Sequence, residues 1–295
     1  MKVAVIGSNG QLGNDVVQAF RGRGDDVIGL THEDVEISDI DSVRKGAGQL
    51  RPDLIINTSA MHHVENCERD PARAFAVNAI GARNLALVAR ETEAVLMHIS
   101  TDYVFDGAKN TPYNEDDVPL PLNVYGCSKL AGEYFVRSLA ERHFVMRTSA
   151  IYGKNPCRAK GGLNFVELML KLARERDEIR VVDSEFVSPT PTEELARQMV
   201  ALSASKNYGL YHATAEGFCS WFEFAREIFA MTCTKVNLKV AAPGEFTAKV
   251  PRPAYSVLEN QRLKSDGLNT FGPWQSGLRA YLESRVEQTS AHAAA

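Results

Sequence analysis

The sequence predicts an α/β protein: a doubly wound, Rossmann-type parallel sheet joined to a smaller C-terminal substrate-binding domain. Three features carry that expectation. Short β-rich runs alternate with longer helical patterns through the first half of the chain. Several of these runs are almost continuously apolar, as strands covered on both faces must be. The first run ends in a glycine-rich turn that opens a helix, the usual start of a dinucleotide fold.

Taken in order, residues 2–6, 27–30, 54–57, 95–99 and 144–147 read as buried strands. Between them, 12–21, 40–50, 71–90 and 125–142 carry apolar residues at helical spacing. Asp70 before Pro71 is an N-cap followed by proline at the first helical position, where its missing N–H costs nothing. In the second half, 164–176 is amphipathic and 178–182 reads as one more strand. Thr190-Pro191-Thr192-Glu193 and Ser220-Trp221-Phe222-Glu223 both fit the capping-box pattern, so each is expected to open a helix. Residues 155–162 and 243–253 read as loops, and 290–295 as a tail without order. The expected division is a nucleotide-binding domain of 1–152 plus about 178–212, and a substrate-binding part of about 153–177 plus 213–295.

With 295 residues, 44% hydrophobic and 24% charged, the chain has the balance of a globular protein with a substantial core. Its net charge of −4 comes without a basic stripe, which argues against nucleic acid or an anionic membrane as partner. No apolar run approaches the ~20 residues of a spanning helix, and the opening Met1–Gly7 is too short for a signal peptide. Five cysteines (Cys67, Cys127, Cys157, Cys219 and Cys233) include no Cys-x-x-Cys pair, which suits reduced thiols in the cytoplasm.

Gly7-Ser8-Asn9-Gly10-Gln11-Leu12-Gly13 follows the first strand. A pyrophosphate needs a turn bare enough to bring backbone N–H groups onto it at the positive end of a helix. Three glycines alone are weak evidence, but their place at the first strand-to-helix junction favours a dinucleotide. An acidic residue at the end of the second strand would hold ribose hydroxyls and repel a 2′-phosphate. Here that strand ends Gly29-Leu30-Thr31-His32, with no carboxylate until Glu33. Thr31 and His32 offer hydrogen bonds to a 2′-phosphate, so NADPH is favoured over NADH, against the plainer reading that both are loop residues. Asp39 and Ile40 are expected to flank the adenine, although Asp39 also suits an N-cap.

The most informative stretches are Ser100-Thr101-Asp102-Tyr103-Val104-Phe105-Asp106-Gly107 and Tyr125-Gly126-Cys127-Ser128-Lys129-Leu130-Ala131-Gly132-Glu133. Tyr125 and Lys129 are four apart and share a helix face. A tyrosine, with reference pKa about 10, donates a proton poorly until neighbouring positive charge stabilises its phenolate. The lysine supplies that charge and can grip the nicotinamide ribose, while Thr101 at a strand end offers its hydroxyl to the same carbonyl oxygen. A lone Tyr-x-x-x-Lys usually means nothing. With a hydroxyl residue upstream and a dinucleotide turn at the start, it reads as a catalytic set of Thr101, Tyr125 and Lys129.

At these residues the chain resembles the extended short-chain dehydrogenase/reductase superfamily and, within it, the dTDP-4-dehydrorhamnose reductase family. The resemblance covers Gly10–Gly13, Ala74-Phe75-Ala76-Val77-Asn78, Ser100–Gly107, Leu122–Gly126, Ser128–Glu133, Arg147-Thr148-Ser149, Pro189-Thr190 and Arg252–Leu258. It implies the same catalytic set. It places Val64, Tyr103, Asn164 and Arg252, beside Thr101 and Tyr125, against a nucleotide-sugar, and puts Asn78 in a helix of the cofactor domain. Ser59 and Ala60, past the third strand, complete the expected cofactor contacts with Asn78, Tyr125 and Lys129. Val64 and Asn78 also have bland readings, as packing and as a buried amide bonding backbone.

Two departures stand out. The family usually has Trp after Arg-Thr-Ser, lining the sugar pocket, where this chain has Ala150; the pocket is expected to be either wider or refilled by Phe105, Tyr152 or the 155–162 loop. Where the family tends to Tyr-Thr-Ala-Val-Asp, this chain has Met61-His62-His63-Val64-Glu65. Some members bind Mg²⁺ at a dimer contact through acidic side chains. Asp15 and Glu193 match two of those positions and Glu283 approximately, so Mg²⁺ and a homodimer stay open, with no residue assigned to a metal. Adjacent histidines in a loop are weak evidence for one.

The resulting expectation is NAD(P)H-dependent reduction of the C4 keto group of an NDP-4-keto-6-deoxy-hexose, with dTDP-4-dehydrorhamnose ranked first. A related dehydratase would need an Asp-Glu pair after the threonine, and here the pair is Asp102-Tyr103. An epimerase would keep its NAD bound through the cycle. A third alternative is a regulatory subunit on this fold, like the one that accompanies methionine adenosyltransferase.

Overall fold

Strand β1 (Lys2–Ile6) lies between β2 (Asp26–Leu30) and β3 (Leu54–Asn57), all parallel. The sheet continues through β4 (Val95–Thr101) and β5 (His143–Thr148). The computed structural model describes the backbone of residues 1–157, 161–246 and 249–293, and side chains up to 285. Four short strands follow: β6 (Ile151–Tyr152), β7 (Glu178–Val181), β8 (Phe186–Val187) and β9 (Thr190–Pro191). Next, β10 (Gly209–His212) closes the sheet beside β5, giving the order β10-β5-β4-β3-β1-β2. The chain order reverses between β1 and β3, and a crevice beyond the carboxyl ends of such strands is where ligands settle.

Helices α1 (Gln11–Gly22) and α2 (Ile40–Val43), with a π-turn at Arg44–Gly48, flank the first strands. After α3 (Val64–Arg69), the single helix expected over 71–90 is found as α4 (Pro71–Phe75), a π-turn at Ala76–Ile80 and α5 (Gly81–Glu91). Asp70 caps it, accepting from Arg73 N at 2.9 Å. A 3₁₀ turn (Asp102–Val104) and α6 (Val124–Leu139) then carry the main motif. Asn123 caps α6 through Gly126 N.

Alternation along β1 sorts the core. Val3 and Val5 pack with Val16 and Phe20 of α1, and with Leu195 and Met199 of α8 (Thr192–Ser203); α7 (Phe165–Glu175) precedes it. Ala4 and Ile6 face Leu85 and Val88 of α5 and Val136 of α6. Phe20 is wholly buried, so its truncation to alanine should cost ~3–5 kcal/mol.

The smaller part has its own core around Tyr152, Val166, Phe224 and Trp274. It takes in α7 and β7 and, further on, β11 (Cys219–Ser220), α9 (Trp221–Met231), β12 (Asn237–Val240) and, after α10 (Gln261–Ser265), α11 (Trp274–Ala293). The strand expected at 178–182 is present as β7, but it pairs with β12 rather than the large sheet. By contrast α8 and β10, from the same 178–212 stretch, pack on the large sheet. The Ser220–Glu223 capping box is present in full. The Thr190–Glu193 one is not: Thr190 lies in β9, its hydroxyl donates to Ser188 O, and Pro191 takes the N-cap position of α8. The tail expected from Ser290 is helical to Ala293, and residues 294 and 295 lie outside the described residues.

Candidate active site

The glycine turn joins β1 to α1 at the crevice. Gly7 has φ +79°, and Gly10 N donates back to Gly7 O at 2.9 Å. A Cβ on Gly13 would lie 2.1 Å from Gly7 O, so only glycine lets α1 press this close. Gly10 caps α1 with no side-chain hydrogen bond. The first-turn N–H groups are thus presented as an anion site needs them, and the residues present fit a dinucleotide pyrophosphate. Asn9 is exposed on the turn, Leu12 is buried in the core, and Gln11 donates to Asn155 O at 3.0 Å. A Cβ on Gly7 would meet Ser59 Oγ at 2.8 Å, which puts Ser59, with Ala60 after it, against the turn.

At the end of β2 Thr31 is engaged within its own turn. The Thr31 hydroxyl and backbone N–H both donate to the Asp34 carboxylate, each at 2.8 Å. The Thr31 backbone bond, then its hydroxyl, hold Asp34 below the ordinary carboxylate range, so a negative charge sits beside Thr31. His32 is exposed, 3.7 Å from Glu36. Asp39 caps α2 through Asp41 N, and Ile40 packs against the core.

The catalytic candidates converge at the carboxyl end of β4. Thr101 is the last residue of that strand, and Tyr125 and Lys129 stand one turn apart on α6. A Cβ on Gly126 would fall 2.2 Å from Tyr103 O, so α6 meets the 3₁₀ turn at van der Waals limits. The Thr101 side chain is close enough to Tyr125 to act on its hydroxyl. Burial pushes the Tyr125 hydroxyl well above its usual pKa; Thr101 opposes that, while Asp102 and Cys67 add to it. Lys129 is 2% exposed, and burial lowers its pKa to about 8, with Glu133 working the other way. Its Nζ donates to Ile99 O at 2.6 Å, and His98 Nε2 is 3.4 Å away. The charge expected to act on Tyr125 is therefore directed at the β4 backbone in this state.

Thr101 donates its proton to Asp102 Oδ1 at 2.9 Å. Asp102 also accepts from Ser149 at 2.8 Å and Ser256 at 2.6 Å, tying β4 to the segments after β5 and before α10. Burial raises its pKa against these three bonds.

The expected sugar contacts divide. Tyr103 stacks edge-on to Tyr125 with centroids 5.9 Å apart, and the Arg252 charge acts on it. Arg252 donates to Glu65 at 2.5 Å. Val64 is buried at the start of α3. Asn164 lies with the second core: it caps α7 through Glu167 N and donates to Gly153 O and Tyr281 Oη. Asn78 bonds Met61 N, Met61 O and Ser128 Oγ, each at 2.9 Å, and so holds the 59–63 loop to α6. Phe105 and Tyr152 are buried in separate cores: Phe105 stacks on Tyr113, and Tyr152 packs on Phe224 and Tyr281. From the 155–162 loop, Asn155 bonds Asp15, while 158–160 lie outside the described residues.

Among the described residues no three His, Cys, Asp or Glu side chains converge as metal ligands. Asp15 and Glu193 line a cavity of about 120 Å³, and Glu283 lines a different one. His62 approaches Cys157 Sγ at 3.6 Å, and His63 lies 3.2 Å from Glu65. No helix among the described residues is long and apolar enough to cross a membrane.

Sequence reasoning passed over Asp34, Asn57 and His98. A signal for the last was present: a histidine inside an apolar buried strand must find partners, and its neighbours are then part of the site.

The family model described as RmlD substrate binding domain matches residues 1–286. The spore coat polysaccharide biosynthesis protein SpsK of Bacillus subtilis (strain 168) is 39% identical over 96% of this chain and 98% of its own. The dTDP-4-dehydrorhamnose reductase of Streptomyces griseus is 36% identical over 93% of this chain and 90% of its own. The crystal structure of dTDP-4-dehydrorhamnose reductase from Bacillus anthracis str. Ames in complex with NADP superposes with a TM-score of 0.91 at 37% identity, covering 96% of this chain and 99% of that one.

Proposed function

The chain belongs to the RmlD substrate-binding-domain family of dTDP-4-dehydrorhamnose reductase-like, NAD(P)-dependent oxidoreductases, and from that premise we propose that it reduces the C4 keto group of an NDP-4-keto-6-deoxy-hexose, with dTDP-4-dehydrorhamnose, giving dTDP-L-rhamnose, as first-ranked substrate. The observation that carries the reading is the convergence of Thr101, the last residue of β4, with Tyr125 and Lys129 one turn apart on α6, together with a glycine turn that opens α1 with no side-chain cap.

The reduced nicotinamide supplies the hydride. Tyr125, neutral because burial disfavours its phenolate, gives its proton to the C4 oxygen as the hydride reaches C4, so the carbonyl becomes an alcohol. Thr101 orients that oxygen by turning its hydroxyl from Asp102. Lys129 grips the ribose hydroxyls and lends its charge to the phenolate left behind. Gly7 to Gly13, Ser59 and Ala60 hold the pyrophosphate, and Arg252 and Tyr103 take the nucleotide-sugar, with Arg252 exchanging Glu65 for phosphate oxygens. NADPH is the first-ranked cofactor, with NADH accepted. We place the reaction in the cytoplasm, on a chain whose five cysteines are all free thiols. The first domain in this reading is the six-stranded sheet with its helices; the second is the part built around Tyr152 and Phe224.

The Asp102-Tyr103 pair lacks the second carboxylate of a dehydratase. The test is oxidation of NADPH, followed by its absorbance, against a panel of dTDP-, UDP- and GDP-linked 4-keto sugars. Turnover of the dTDP-linked 6-deoxy sugars is expected. No oxidation with any of them would remove the reading.

A further inference from the structure

His98 is 1% exposed in the middle of β4, between the end of β3 and α6. On one side Asn57 Nδ2 lies 3.0 Å from His98 Nδ1. On the other, His98 Nε2 lies 3.4 Å from Lys129 Nζ. The Asn57 amide has no freedom to flip, because its Oδ1 accepts from Ser59 N at 3.0 Å. The amide nitrogen therefore faces the ring, Nδ1 must accept, and the neutral imidazole carries its proton on Nε2.

That proton points at Lys129. Against an ammonium it opposes donor to donor; against a neutral amine it donates into the nitrogen lone pair. We propose that His98 is a positioning residue that steadies the neutral form of Lys129, through a hydrogen-bond line from Ser59 N–H through Asn57 and the imidazole to Nζ. The proposal rests on the reading of Lys129 given above; His98 then sets the pH above which the ammonium that lends its charge to Tyr125 is lost.

The surroundings are consistent with this. On its own helix Lys129 is faced by Glu133, whose charge favours the ammonium but is taken up by Arg147 (2.7 Å) and by Ser100. Tyr125, one turn back, is neutral. From β4 come His98 and the Ile99 carbonyl, and Asp102 acts on Tyr125 instead. The π-turn packs on α6 with the uncharged Asn78. Burial holds His98 itself well below the usual imidazole pKa, with Lys129 adding to that, so the ring stays neutral. The line begins at Ser59, in the loop that borders the glycine turn.

Two measurements test this. Nitrogen-15 chemical shifts of His98 in the wild-type protein report its tautomer without any turnover, so they stand even if the substrate is misassigned. The expected result is a protonated Nε2 and a bare Nδ1; a protonated Nδ1 would overturn the proposal. The second is Asn57→Asp, which replaces the donor facing Nδ1 by an acceptor, draws the proton to Nδ1 and turns Nε2 into an acceptor for the ammonium. The basic limb of the kcat/KM profile should move up by about one pH unit, the scale of one hydrogen bond to a charged group. An unmoved limb in an active Asn57→Asp enzyme would contradict it.

Discussion

The Thr101 hydroxyl, at the end of β4, donates to the buried Asp102 carboxylate at 2.9 Å, so the residue beside Tyr125 is tied to a buried acid. In the proposed reaction Thr101 must turn its hydroxyl from Asp102 to meet the substrate oxygen.

Tyr125→Phe removes the proton and keeps the ring against Tyr103. Turnover should fall ~10²–10⁴-fold with thermal stability and cofactor affinity nearly unchanged. Steady-state kinetics alongside a melting curve check this; near-normal kcat would remove Tyr125 from the chemistry.

Lys129 gives a pH prediction. Burial disfavours its ammonium, so the charge is present below about pH 8 and is lost as pH rises through that value. If the ammonium is the working form, kcat/KM is level below the limb and falls above it. Lys129→Met should abolish the limb and also weaken cofactor binding. A profile that rises through pH 8 would show that the neutral amine is required.

Asp34 bears on cofactor choice. Its carboxylate, held by Thr31, would stand beside a 2′-phosphate, and two such charges a few ångströms apart repel. Asp34→Asn should raise the NADPH-to-NADH ratio of kcat/KM roughly 5- to 10-fold. An unchanged ratio would mean that the phosphate binds away from the end of β2.

Ala150 is half-buried, with φ +44°, a backbone that strains bulky residues. It offers neither the apolar wall nor the N–H of an indole, and Phe105 and Tyr152 are buried in separate cores. Wild type should accept a broader set of 4-keto sugars than Ala150→Trp, read as kcat/KM across the panel. Identical selectivity in the two would make Ala150 a neutral change.

The periodic parts of the chain were legible in the sequence. Apolar runs and glycine spacing are local signals, so β1, the turn and α1 fall where expected, as do the Ser220 cap and the Tyr125–Lys129 face. Long-range contacts were not. The strand at 178–181 was readable as a strand, but its partner at 237–240 lies sixty residues on. Asp34 reaches Thr31 only because the chain turns after β2. Asn57 and His98 meet through the β3–β4 register, which the sequence does not state. Thr190 matched a capping pattern, but its hydroxyl serves Ser188 and Ala215 instead.

The central claim is net hydride transfer to C4. The direct measurement is turnover of dTDP-4-dehydrorhamnose with NADPH deuterated at the transferring position, followed by nuclear magnetic resonance of the sugar. The account predicts one deuterium at C4 of the product for each NADPH oxidised. Product with no deuterium at C4, or an epimerised ketone formed with no net oxidation of NADPH, would contradict it.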